Sequence, residues 1–325
     1  MSDYVEYGSL ATVPGPLRCE GVTQWCFPLL ADRECLAELC RRTFAEPTGG
    51  EIDLRPLGSH VIFSLGRVER IVSEQQRFAT MGWASETQGA IWVPVGRVHD
   101  EHETAVVEEM LMFTPYMWVD NPISLASGRE MYGFAKAFGW FDLPAPGADA
   151  AAFELDAFGM DFETDQQPQR NPLVRVTRGA PVHEVTELVW SGLRQVGRHL
   201  RQLTDRDGRP SIHFGWRFAE SVLANMIEGS VRQVFLHQAR AIGDGSRASL
   251  QQVAEASYSV SSLRAAPLEH EYVVDISELS SAPLVSELGL ESHSTTRFAY
   301  RSECNFKLGT GSVLWDAAAP ASVKA

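Results

Sequence analysis

Apolar and polar residues alternate along much of this chain, and the alternating runs are rich in β-branched and aromatic side chains. Residues 61–72, 90–98, 105–119 and 173–177 are of this kind, separated by Gly, Pro or charged clusters, and they are predicted as strands. Residues 144–172, rich in Ala, Gly, Pro and Gln, read as loops around a short strand near 153–158. The strand texture returns at 252–263, 271–276 and 297–308, so an extensive, mostly antiparallel sheet is expected. Two regions follow the helical period instead. In residues 32–46, Leu36, Leu39, Cys40 and Phe44 share a helical face that Asp32 can cap. Farther on, Val185, Leu188, Val189, Val196, Leu200 and Leu203 recur at helical spacing, and so do Phe218, Val222, Met226 and Ile227. These predict a helical hairpin, inserted at about 181–232 into one domain spanning 1–325. Its apolar face should cover a pocket mouth or a subunit interface.

With 325 residues, 44% of them hydrophobic, the chain can bury one large core. Its longest apolar runs, 90–95 and 110–113, fall far short of the ~20 residues of a membrane-spanning helix. The first residues carry Asp3 and Glu6 and lack a basic leader, so a cytoplasmic protein is expected. Cys19, Cys26, Cys35, Cys40 and Cys304 contain no CxxC pair and match no closed zinc module; they read as buried small hydrophobes. A net charge of −14 repels phosphate backbones and anionic lipid, so neither nucleic acid nor membrane is an expected partner.

The charge pattern also isolates one residue. Only three lysines occur, Lys136, Lys307 and Lys324, against 25 arginines. Lys136 stands among aromatic and small residues, with no carboxylate between Met131 and Phe141. Burial there would disfavour the ammonium, and only a neutral amine attacks a carbonyl. The alternative is a snorkelling side chain whose stem packs on Phe134 or Phe138. Lys324 sits next to the C-terminal residue, and Lys307 shares an alternating strand face with Arg301, Glu303 and Asn305; both read as solvated charges.

Asp120-Asn121, Gly128-Arg129-Glu130, Phe134-Ala-Lys136 and Gly139, preceded by Ala84-Ser-Glu86-Thr-Gln88-Gly, resemble the signature of the acetoacetate decarboxylase superfamily. The resemblance is strongest over residues 60–140. It implies an α+β fold built on a curved antiparallel sheet or barrel, with peripheral helices. It further implies Lys136 as the Schiff-base lysine, Glu86 as a proton-handling carboxylate, and Met117 and Phe134 as pocket walls. The family's second lysine is Ala137 here, and Ser64 takes the place of a strand glutamate. A condensation and dehydration of an oxo acid is therefore expected over decarboxylation of acetoacetate, with the carboxylate gripped by an arginine. A homo-oligomer acting on a small carbonyl or oxo acid, without cofactor or metal, completes the expectation. The rival is a non-catalytic binding or regulatory protein that keeps the pocket for a metabolite. Arg129 and Glu130 read as a structural ion pair, and His99-Asp-Glu-His102-Glu103 as a charged loop between strands.

Overall fold

A computed structural model describes residues 4–5, 12–101, 104–145, 150–159, 167–182, 190–191, 213–214, 230–297 and 299–319. Its first strand, β1 (Leu17–Leu30), is one that alternation did not single out. Gly21 adopts φ +64 in a register shift between Cys19 and Val22, and residues 25–29 are all buried. Both faces of that half are covered, so period two is erased. Helix α1 (Arg33–Cys40) starts where predicted: Asp32 accepts from the backbone N–H of Glu34 and Cys35. It ends in a π turn, Arg41–Ala45, and buries Leu36, Leu39, Cys40 and Phe44.

The strands predicted over 61–72, 90–98 and 105–119 follow, preceded by a short one that was not predicted. β2 (Leu54–Pro56), β3 (His60–Ser73), β4 (Ala84–Glu101) and β5 (Thr104–Val119) lead into helix α2 (Pro122–Met131). Next come β6 (Lys136–Asp142), β7 (Ala152–Gly159) and β8 (Gln169–Pro181). The expected helical hairpin falls on residues outside those described, apart from two short pieces, β9 (Trp190–Ser191) and β10 (His213–Phe214). The chain resumes with β11 (Ser230–Arg240), β12 (Ala248–Pro267) and β13 (His270–Ile276). Helix α3 (Leu284–Leu288) and strands β14 (His293–Thr296), β15 (Tyr300–Leu308) and β16 (Ser312–Asp316) complete it.

Strand pairing closes a ring: β5 pairs β4, then β3, β1, β15, β12 and β11 follow, and β11 returns to β5. All neighbours in the ring are antiparallel except β11 and β5. A second run, β6-β7-β8-β13-β14, branches from β5. The branch is visible in the register. One edge of β5 pairs β4 throughout, while the other meets β11 at Met112–Phe113 and β6 at Met117–Val119. The ring and the second run therefore part between Phe113 and Met117. Tyr132, Gly133 and Phe134 cross this fork, with the Phe134 and Phe235 rings 4.4 Å apart and the carbonyl of Gly128 accepting from Phe134 N.

The main core lies between the ring wall and the second run. Phe27 of β1 meets Phe153 of β7 and Tyr272 of β13 edge-on, at 5.3 and 5.4 Å. Each such buried aromatic stabilises the fold by roughly 1.5–3 kcal/mol through the area it removes from water. A separate cluster of Ala90, Met117, Tyr132, Phe134, Phe235, Ala256 and Leu308 fills the other face of the wall. Among the described residues, no helix is long and apolar enough to cross a membrane.

Candidate functional site

Lys136 begins β6 and pairs in register with Met117. Continuing across the sheet, Met117 pairs Ala90, Ala90 pairs Ser64, and Ser64 pairs Cys26. Paired residues share a sheet face, so Lys136, Met117 and Ser64 lie in one row across β6, β5 and β3. Glu86 and Ala90 are four residues apart on β4 and also share that face.

The spacing of the sequence motif now has physical causes. Asp120 accepts from Thr87 N (2.7 Å), and Asn121 donates to Ser85 O (2.6 Å), so the two residues bracket Glu86. Asn121 also caps α2, with Pro122 opening its first turn. Gly128 leaves room for the lysine stem: a Cβ there would sit 2.8 Å from Lys136 Cδ. Arg129 Nη1 donates to the Lys136 carbonyl at 3.2 Å. The expected pairing of Arg129 with Glu130 is not formed; Glu130 accepts instead from the Tyr4 hydroxyl.

The amine is buried. Lys136 is 6% and Glu86 8% exposed, with Nζ 3.2 Å from Glu86 Oε2. Nζ also donates to Ser124 Oγ at 2.6 Å and to Ser124 O at 3.3 Å, and the Ser124 hydroxyl donates to Glu86 Oε2. The Phe134 ring centroid lies 5.4 Å from Nζ, within cation–π range. Ser124 is the residue that sequence reasoning missed. Its only signal was its place three residues after the helix cap, and that did not reveal a contact to residues 38 and 12 positions away.

Two expectations about neighbours change. Ala137 is exposed, because successive residues of β6 face opposite ways. A side chain at 137 would point away from the amine, so alanine there does not leave burial as the sole influence on Lys136; Glu86 and Ser124 supply direct partners. Among the described residues, no arginine is hydrogen-bonded to Glu86. Ser64 is buried and accepts from Trp92 Nε1 at 2.8 Å, two strands from β5 on the same row.

Elsewhere on this face, Tyr132 donates to Gly309 O. Burial pushes its phenol up to about 12, and pushes the thiols of Cys26 and Cys304 up to about 12 and about 11. These groups stay protonated and neutral at physiological pH. All five cysteines are free. Lys307 forms a surface pair with Glu74 at 2.9 Å and is more than half exposed; Lys324 lies outside the described residues, as do His102 and Glu103. No group of three or more His, Cys, Asp or Glu among the described residues is placed to hold a metal ion.

No family model matches the sequence, and no curated protein matches it significantly. Solved structures do match. Acetoacetate decarboxylase from Legionella pneumophila aligns over 94% of this chain and 90% of its own, with TM-score 0.56 and 15% identity. An acetoacetate decarboxylase-like enzyme from Sphingomonas wittichii RW1 aligns over 95% and 100%, with TM-score 0.52 and 15% identity. The enduracididine biosynthesis enzyme MppR complexed with pyruvate aligns over 95% and 94%, with TM-score 0.52 and 12% identity. MppR has also been solved with the condensation product of pyruvate and imidazole 4-carboxaldehyde. At such identities the likeness shows the fold: a large curved mixed sheet with few helices, as in acetoacetate decarboxylase.

Proposed function

We propose that the chain is a member of the acetoacetate decarboxylase superfamily, a lyase whose Lys136 amine forms a Schiff base with the carbonyl of a small oxo acid or ketone. The observation that carries this reading is the buried contact of Lys136 with Glu86 and Ser124 on an aromatic face. A chain with three lysines places one of them there, although burying an ion pair is not a favourable way to gain stability. The fold and the residues of the Gly128-Arg129-Glu130 and Lys136 segments support it.

In this mechanism Glu86 takes a proton from the ammonium, and the freed amine adds to the carbonyl carbon to give a carbinolamine. Glu86 returns the proton to the carbinolamine hydroxyl, water leaves, and an iminium remains with the carboxylate restored. The iminium then withdraws electrons from the neighbouring carbon. Loss of carbon dioxide from a β-keto acid and condensation of a 2-oxo acid with an aldehyde both start from this species. MppR, which shares the fold, has been solved with a product of the second kind. A cytoplasmic homo-oligomer needing neither cofactor nor metal belongs to the same proposal.

Borohydride added with pyruvate or acetoacetate should fix a covalent adduct, located by peptide mass mapping at Lys136. Adducts on Lys307 or Lys324 alone, or none with any oxo acid, would remove the proposal. Glu86→Gln should keep the full yield of adduct at long times while turnover falls at least ~10²-fold, the scale of a lost acid–base group. Undiminished turnover would make Glu86 a bystander.

A further inference from the structure

Hydrogen-bond direction around Ser124 is fixed by the chemistry of its neighbours. A lysine ammonium has three donors and no acceptor, and an ionised carboxylate only accepts. The Ser124 hydroxyl must therefore accept from Lys136 Nζ and donate to Glu86 Oε2. Its oxygen is also the nearer partner of the amine, at 2.6 Å against 3.2 Å for the carboxylate. The hydroxyl is buried and held from behind: Ser124 N donates to the Asn121 cap, and Ser124 O accepts a third bond from Nζ. Water is not needed to connect the two charged groups.

We infer that Ser124 is a catalytic residue of the proposed Schiff-base reaction, relaying a proton between Lys136 and Glu86. This deepens the reading above and rests on it. In the outward step, a proton passes from Nζ to Ser124 Oγ while the serine proton passes to Glu86 Oε2. The amine and the carboxyl are then neutral and the serine is unchanged. No oxidant or further reactant is consumed. The reverse relay delivers the proton that the carbinolamine hydroxyl needs to leave as water. The direct Nζ to Glu86 contact, longer by 0.6 Å by the difference of the two distances, is the slower route.

Single-turnover trapping with pyruvate and borohydride, quenched at increasing times, tests this. Wild type should form the adduct quickly, Ser124→Ala should form it about 10²-fold more slowly, the usual span for one proton-transfer group, and Ser124→Thr should recover most of the rate. Glu86→Gln combined with Ser124→Ala should be no slower than Glu86→Gln alone, because the relay has no destination without the carboxylate. Additive losses, or a Ser124→Ala rate within about twofold of wild type, would overturn the relay while leaving the Schiff base intact. No adduct in wild type would overturn both. Should Ser124→Ala fail to fold, the wild-type rate in mixtures of light and heavy water decides: a curved dependence reports two protons in flight and supports the relay, and a linear one overturns it.

Discussion

Lys136→Met is expected to abolish imine formation and to lower folding stability by about 3–5 kcal/mol, the scale for removing one partner of a buried pair. Methionine fills nearly the same space, so the loss would come from electrostatics more than packing. Glu86 would keep the Ser124 hydroxyl but lose the cation beside it, at a position 8% exposed. Adding Glu86→Gln should recover much of that stability, since an amide carries no charge to strand, and should recover no adduct at all. Denaturant midpoints of the two single variants and the double one, read with borohydride trapping, separate the two effects. A Lys136→Met protein that still traps keto acid would refute the assignment of the amine.

Gly133→Ala should be nearly as damaging, for a different reason. Gly133 adopts φ +83, and a Cβ built on it would lie 2.5 Å from His237 Cα on β11. The backbone conformation alone costs an L-residue about 1–2 kcal/mol, and neither the connection before β6 nor β11 can move without opening the fork that Phe134 and Phe235 close. A total loss above about 2 kcal/mol is expected, with slower trapping at Lys136 three residues on. Gly243→Ala is the control, since nothing lies within 4 Å of its Cβ position, and it should change stability by no more than about 0.5 kcal/mol. Equal effects at the two positions would show that the contact with His237 does not constrain the chain.

The strands of the ring were legible where β-branched and aromatic residues are dense, as in β3, or where buried residues alternate with more open ones, as in β15. They were illegible where a fully covered run lacks β-branched residues, as in residues 25–29 of β1, or where the expected helical insertion ran on into the chain and no strand was expected before 252, as in β11. In the site, Lys136 stood out because lysine is rare in this chain and because a spaced motif surrounds it. Glu86 was legible only through that motif. Ser124 was not legible, because its role depends on β4 and α2 lying side by side, which no periodicity within either segment encodes. Ala137 was over-read: adjacency in sequence suggested adjacency in space, and the pleat of β6 places the two side chains on opposite faces. Asp120-Asn121 and Arg129 were visible as motif residues, but their work as backbone braces appears only once β4, α2 and β6 are in place.

The fork of β5 bears on the order in which the amine acquires its surroundings as the chain is made. Glu86, Ser124 and Lys136 lie within one stretch of β4, β5, α2 and β6, joined by antiparallel β4–β5 pairing and a short helical crossover. Phe235, which closes the fork from the other side, emerges about a hundred residues later, and the ring is sealed only when Leu17 pairs Leu308 near the far end of the chain. Local contacts form ahead of distant ones, because closing long loops is slow. The charged groups therefore meet early and water leaves late. A chain still on the ribosome would hold the three groups of the relay in place but wet, and the dry surroundings that set the amine apart from an ordinary surface lysine would arrive with the last strands.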